Sequence, residues 1–410
     1  MATDSCSKRS DDGERMAVIV AGGGPSGMAA ALFLVEAGIP VVVLERGSTP
    51  NRDPRAATYH PPTLEMFEPS GVTAELHERG IVARHWQFRD RQAGVVAQFD
   101  LDALRHDTRY PYRLQCEQHK LVEMLARRVA ASPLATIRYD ADVTHVIQDE
   151  TGTTAILSSG EQLSGEWLIG ADGGRSAVRK SQNIAFEGFT YPEQFLVITT
   201  RFDFGTLGYA FSSYTMDPVE WNAAFKVPGD DNRGVWRCVF PTEPQADESA
   251  LLDFDFAQRK LHGLLGADRN YEILHTNLYA VHQRVAATYR RGRVLLIGDA
   301  AHVNNPLGGM GLNFGIHDAH NLANRLAQVI HGTAATSLLD QFDRQRRTIA
   351  EQFLQTQTIA NKQTLEERDP EKRQQRQAQM RRIAADPTAA RRYLLRTSMI
   401  EGLRAAAAIQ

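Results

Sequence analysis

The sequence predicts an α/β protein in which a helix-flanked parallel sheet is interrupted by an antiparallel β-sheet and followed by C-terminal helices. Three observations predict it. The chain opens with a strand, a glycine-rich turn, a helix and a second strand; β-rich runs fill its middle; a buried strand and a long helix then resume the opening pattern.

The run MAVIVA over residues 16–21 reads as a strand buried on both faces. A helix over 26–37 follows, with Met28, Ala31, Leu32 and Val35 on one stripe and Gly38 placed to end it. VVVL at 41–44 is the next strand, and strands joined by a crossover helix lie parallel. A further amphipathic stretch covers 121–128, and alternating strands run from 136 to 169. The pattern then changes to FLVITTRF (195–202), GYAFSSYT (208–215), WNAAFKV (221–227) and GVWRCVF (234–240), as in an antiparallel insert. VLLI at 294–297 returns to the first sheet, a helix spans 312–330, and the Arg- and Gln-rich tail is helical. The expected domains are 16–189 with 285–345, an inserted sheet over 190–284, and a helical segment over 346–410.

Composition narrows the function. A net charge of -3 gives no support for a nucleic-acid partner. Cys6, Cys116 and Cys238 form no CxxC pair, and no His/Asp/Glu cluster has ligand spacing, so neither a metal nor a disulfide framework is expected. Residues 1–15 lack the apolar run of a signal peptide, and no window suits a spanning helix; the expectation is a soluble, cytoplasmic protein without a membrane partner. Monomer and homodimer are equally compatible.

Three glycine motifs carry the chemistry. In Gly22-Gly23-Gly24-Pro25-Ser26-Gly27, between strand and helix, Gly22 allows the tight turn, Gly24 admits a pyrophosphate and Gly27 lets helix and strand pack, with Ser26 at the helix start. Glu45 ends the next strand, where it can accept from a ribose diol, and Arg46 and Arg52 follow it. Those two cations could meet a 2′-phosphate or simply be solvated. The second motif, Gly170-Ala171-Asp172-Gly173-Gly174, sets an acid at a strand end, which by itself also describes a bland turn. The third, Gly298-Asp299-Ala300-Ala301-His302, continues through Pro306-Leu307-Gly308-Gly309-Met310-Gly311-Leu312-Asn313 into a helix, whose N–H groups suit the anionic edge of a flat ligand. His302 is read as orienting that loop.

In this order and at these distances, the motifs resemble those of the class A flavin monooxygenases built on the p-hydroxybenzoate hydroxylase fold, over residues 16 to about 339. The resemblance implies a Rossmann-like FAD-binding domain, with Gly22, Gly24, Gly27, Glu45, Asp172 and Asp299 assigned to FAD and the Asp172 motif associated with NAD(P)H as well; Ser26 and Arg46 are further cofactor-binding candidates. It places Arg55 near the cofactor, Gln118 beside the ribityl and pyrophosphate, Pro306 over the flavin ring, and Gly311, Leu312 and Asn313 along its pyrimidine edge. The stretches PRA (54–56), DTRYPY (107–112), DPVEW (217–221) and VHQR (281–284) are similar to para-nitrophenol 4-monooxygenases.

The implied reaction is hydroxylation of a phenolic or hydroxy-heteroaromatic ring by O2 and NAD(P)H, through a hydroperoxide at carbon 4a of the flavin. Attack at a substituted carbon, with loss of the substituent, is the variant suggested by the nitrophenol likeness. With no second GxGxxG, NADH and NADPH are not separated. Candidate pocket walls are Phe211, Tyr214, Trp221, Phe225 and Trp236, each of which could equally be plain core. His60 and His282 are candidates for the phenolic proton, or else hydrogen-bonded structural histidines. Arg55 would stabilise reduced FAD or receive NAD(P)H, unless it is an ordinary surface cation. Rival readings are an epoxidase or quinone-biosynthesis hydroxylase of the same fold, and a non-catalytic flavin sensor.

Overall fold

The computed structural model describes residues 17–50 and 56–410. Among these, a six-stranded sheet runs in the order Arg290–Arg291, Val294–Leu296, Leu168–Gly170, Val18–Ala21, Val41–Leu44, Ala135–Arg138. Every pairing is parallel except that of the Arg290–Arg291 edge. Val18–Ala21 is buried at all four positions, as a parallel strand covered on both faces must be, and this explains its unbroken apolar run. The first crossover leads from Val18–Ala21 to Val41–Leu44, whereas Leu168–Gly170 is added on the other side. The reversal opens a crevice at the carboxyl ends of these strands, where open α/β sheets bind ligands.

The helix Pro25–Glu36 starts with proline at a position that needs no N–H donor, and it is buried from Gly27 to Leu34. It packs between Gln118–Ala130 and the twenty-residue helix Gly311–Ile330. That long helix is fastened from within. Asp318, fully buried, accepts from His302 Nε2 at 2.6 Å, Arg346 Nε at 2.7 Å and the Gly298 N–H at 3.1 Å. Burial alone would raise its pKa, but His302 and Arg346 outweigh it and bring the carboxyl down to about 2. His302 thus orients the third glycine loop, as its position suggests.

An eight-stranded sheet forms the second layer, in the order His302–Val303, Ile273–Ala286, Phe186–Thr200, Val235–Pro241, Asn222–Val227, Ser212–Met216, His85–Asp90, Gly94–Asp100. It is antiparallel except where Ser212–Met216 meets His85–Asp90. The hairpin over 85–100 therefore belongs to this sheet, although in sequence it falls inside the 16–189 span. Side-chain alternation gives the sheet two faces. One carries Trp86, Phe88, Tyr214, Trp221 and Val239 and packs against Leu307 and the C-terminal residues Leu365, Leu394 and Ile400. The other carries Leu196, Trp236, Cys238 and Phe240 and lies against the helix Phe254–Leu265.

The C-terminal helices Thr356–Leu365, Pro370–Ala385, Pro387–Thr397 and Ile400–Ala407 close over the first face, while Leu338–Ile349 packs on Gly311–Ile330. Their grip includes Arg391 and Arg404 on Asp107, at 2.7 and 3.0 Å. Cys116 and Cys238 are buried free thiols. Among the described residues no helix is long and apolar enough to cross a membrane, and no His/Cys/Asp/Glu group could hold a metal ion.

Asp318→Asn would leave the buried Arg346 guanidinium without its counter-charge. We expect it to lower the unfolding free energy by about 3–5 kcal/mol, read from the urea midpoint; an unchanged midpoint would show that the charge is balanced elsewhere.

Candidate active site

All three glycine motifs leave adjacent parallel strands at the same edge of the six-stranded sheet. Their backbones meet. Gly22 sits at φ +106°, and a Cβ there would lie 2.4 Å from the Ala171 carbonyl oxygen. A Cβ on Gly27 would lie 1.9 Å from the Gly22 oxygen, so helix and turn could not approach. Gly24 is different: nothing lies within 4 Å of its missing side chain. Two glycines serve packing and one leaves space, which is the division that a pyrophosphate cradle requires.

The donors and acceptors around this space also fit FAD. The helices starting at Pro25, Gln118 and Gly311 have no side-chain cap, which leaves first-turn N–H groups for a ligand. Glu45, just after its strand, sets one carboxylate oxygen on the glycine turn, accepting from the Gly23 N–H at 2.6 Å, and the other on its own loop, accepting from the Gly47 N–H at 2.8 Å. Asp172 accepts from Val178 through one oxygen at 3.1 Å, while its buried second oxygen has no partner. Burial raises its pKa above the carboxylate norm, against hydrogen bonds from Ser176 and the backbone. An orphaned acceptor here suits a ligand hydroxyl. Asp299 follows a buried strand yet is exposed. Gln118 is half-buried, its N–H on the Ala56 carbonyl, and Arg46 is exposed behind Glu45.

Ser26 does something the motif does not reveal. A Cβ on Gly298 or Gly315 would fall 2.4 or 2.2 Å from its hydroxyl oxygen, so it is wedged between the third motif and the following helix. Arg179 is a second unforeseen fastener, donating to the carbonyls of Ala300 at 2.8 Å and Gly174 at 2.9 Å and so joining the second and third loops.

The loop after the third motif turns at Gly308 (φ +111°) and Gly309 (φ +63°), with the Gly309 N–H on the Pro306 carbonyl. The Asn313 amide is fully committed. It accepts from the His60 N–H and the Thr63 hydroxyl and donates to the carbonyls of Thr58 and Gly309, all within 2.9 Å. Only the main-chain N–H groups of Gly311, Leu312 and Asn313 therefore remain for a flavin edge.

The backbone of Gly308 joins this loop to a cluster of buried side chains that we take as the walls of a substrate chamber. His60 Nε2 donates to the Gly308 carbonyl at 2.9 Å, which makes Nδ1 the bare nitrogen, and Nδ1 is buried without a partner. Burial, helped by the Arg113 charge, brings the His60 pKa down to about 3, so the ring is neutral. The Gly308 backbone also acts on the Tyr214 hydroxyl, whose pKa burial pushes up to about 12. Trp86 sits edge-on to Tyr214, and Tyr393 from the helix Pro387–Thr397 stacks on Trp86 with centroids 5.6 Å apart. Sequence patterning missed Trp86, Arg113 and Tyr393, since they come from separate segments and share no local motif.

Other expected residues lie elsewhere. Trp236 is on the opposite face of the eight-stranded sheet, stacked on Phe204 at 4.8 Å, and Phe211 meets it edge-on at 6.3 Å. Strand alternation sends both away from the Tyr214 face, so neither lines this chamber. Trp221 shares the Tyr214 face but is 1 % exposed and packed edge-on against Phe195, as core. Phe225 is half-buried towards Ala57, on the chamber side. His282 is exposed and bonds Thr190, while its neighbours Val281 and Gln283 turn inwards; it faces away from the chamber. Arg55 lies outside the described residues.

Comparison with known proteins agrees with this geometry. The chain matches the FAD binding domain family over residues 15–357. It is 34% identical over 397 residues to para-nitrophenol 4-monooxygenase from a Pseudomonas species, covering 94% of this chain and 96% of that protein. With 6-hydroxy-3-succinoylpyridine 3-monooxygenase HspB of Pseudomonas putida it shares 36% identity over 337 residues, 80% and 84% of the two chains. The crystal structure of p-nitrophenol 4-monooxygenase PnpA from Pseudomonas putida superposes with a TM-score of 0.89 at 32% identity, covering 95% of this chain and 98% of that one.

Two glycine substitutions separate packing from ligand access. Gly27→Ala should destabilise the fold by about 3 kcal/mol or more, whereas Gly24→Ala should keep the thermal midpoint of the flavin-free protein and lose bound FAD. Equal effects on both readouts would refute the division. A pH experiment tests the buried imidazoles. His60 and His317, both held below 6.5 chiefly by burial, refuse a proton that the unfolded chain accepts. Stability should therefore fall as pH drops below about 6.5, by about 1.4 kcal/mol per pH unit for each group, and the His60 share should end near pH 3. His60→Gln should flatten part of that slope in acid denaturation curves.

Proposed function

This chain belongs to the FAD binding domain family, as a flavin-dependent aromatic monooxygenase, and we propose that it hydroxylates a phenolic or hydroxypyridine ring with O2, drawing electrons from NADH or NADPH. The observation that carries this reading is the Gly308 peptide, which closes the glycine-rich loop on one side and meets His60 and Tyr214 on the other. A planar substrate between Trp86, Tyr214 and Phe225 would lie beside the loop that suits a flavin.

FAD, when bound, supplies electron transfer from the nicotinamide and the activation of O2. The chain's own residues do the rest. Glu45, Asp172 and Asp299 would accept hydroxyls of the cofactor, and the uncapped helix starting at Gly311 would face its anionic edge. Pro306 would lie over the ring. His60 presents a bare nitrogen to the phenolic hydrogen; with a pKa of about 3 it accepts a hydrogen bond and passes a proton on rather than storing it. Polarising the O–H raises electron density on the ring carbons. The C-terminal helices keep water out, with Leu365, Leu394 and Ile400 buried against the chamber face.

The names of the two relatives support attack at a carbon that already bears a group: carbon 4 of para-nitrophenol and carbon 3 of a 3-succinoylpyridine. Displacing an anionic substituent from a phenol leaves a quinone, and reducing that quinone takes a second NAD(P)H. The protein should therefore purify yellow, and a suitable phenol should accelerate NAD(P)H oxidation with two equivalents consumed per ring. A strict one-to-one ratio with a catechol product would exclude loss of the substituent. His60→Ala should raise the pH optimum, because the phenol must then ionise unaided; an unchanged profile would remove His60 from the mechanism.

A further inference from the structure

Arg113 is a buried cation for which the described residues provide no carboxylate. It is 4 % exposed, its Nε is buried without a partner, and among the described residues its one side-chain hydrogen bond is a long 3.3 Å contact to the Ser212 hydroxyl. Aromatic side chains lie around it. Its guanidinium lies 5.7 Å from the Trp86 ring centroid, and the phenol groups of Tyr214 and Tyr393 are close enough to act on its charge. Arg346 shows the contrast: just as deeply buried, it has Asp318 at 2.7 Å. A guanidinium cannot shed its proton to escape burial, and an unpaired one is costly to desolvate.

Arg113 is also held in place. It opens the strand Arg113–Gln115, paired with Thr58–Tyr59 and Ile81–Ala83, beside the segment that carries His60. Ser212, its hydroxyl contact, pairs across the sheet with Phe225, one of the chamber walls. The free Nε and the weakly used guanidinium edge thus sit where an oxygen substituent of an aromatic ligand would be held.

We propose that Arg113 anchors the anionic oxygen of the substrate, so that the chamber selects rings carrying a phenolate over uncharged rings of the same shape. The proposal rests on the phenolic reading above and adds the residue that enforces it. Charge-assisted hydrogen bonds fix the oxygen, Trp86 and Tyr393 confine the plane, and the His60 nitrogen lies near enough to Arg113 to feel its charge. An uncharged ring would leave the guanidinium unpaired and bind less well.

The test is equilibrium dialysis of the FAD-reconstituted protein at a pH where 4-nitrophenol is ionised, against 4-nitrophenol and its neutral methyl ether, 4-nitroanisole. The wild-type chain should prefer the phenolate by about 10- to 100-fold. Arg113→Met and Arg113→Gln should abolish that preference while still binding the ether, and Arg113→Lys should restore part of it. Should one neutral variant fail to retain FAD and native circular dichroism, the other decides. A preference that survives in a folded neutral variant overturns the anchor. So does equal binding of the two ligands by the wild type, even where phenols still stimulate NAD(P)H oxidation; in that case the monooxygenase reading stands without the anchor. If the wild type binds neither ligand and no phenol stimulates turnover, the substrate class falls together with the anchor.

Discussion

Everything in this fold depends on how closely two strand ends approach one another. Gly22 and Ala171 leave neighbouring strands almost in contact, and Gly27 lies nearly on the Gly22 carbonyl. A side chain at either glycine would have to displace backbone, not a flexible neighbour. The contact draws the first and second glycine loops together, Ser26 wedges the third beside them, and Arg179 joins the second to the third. Loops some 120 residues or more apart in the chain thereby become one surface.

That surface was largely legible in the sequence, because each part is local. A buried strand, a glycine at a fixed offset and a helix start all lie within a dozen residues, and periodicity reads them well. The helix expected at 26–37 occurs at Pro25–Glu36, and that expected at 312–330 at Gly311–Ile330. The chamber beside it was much less legible. Tyr214, Trp86, Arg113 and Tyr393 come from four separate segments, and only strand pairing such as that of Ser213 with Gln87 brings the first two together. Pattern also shows that alternate residues on a strand point to opposite sides, but not which side meets the flavin. Trp236 and Phe225 look equivalent in sequence; in the sheet they face opposite ways.

The two large layers are also stitched together chemically. Glu117 and Lys120, both buried, form an ion pair at 3.0 Å, and each also holds the backbone of Gly229 on the inserted sheet. Burial opposes the Glu117 charge, but Lys120 outweighs it and keeps the carboxyl below its usual range. A buried pair of this kind adds little net stability but specifies register, since any shift would strand a charge. The first layer and the inserted sheet are thus held in a fixed relation to one another.

The two buried thiols have a bearing on endurance. Cys116 lies in the first core, just after the strand Arg113–Gln115, with its pKa pushed up to about 12 by burial and by Glu117, and Cys238 is shifted further in the same direction by burial alone. Both stay protonated, and protonated sulfur is a poor nucleophile towards hydrogen peroxide. A catalyst that activates dioxygen leaks some peroxide whenever a turnover misfires. Neither sulfur offers that leakage an easy target, so wear from stray oxidant should fall first on the partly exposed Met66 and Met380 or on the cofactor.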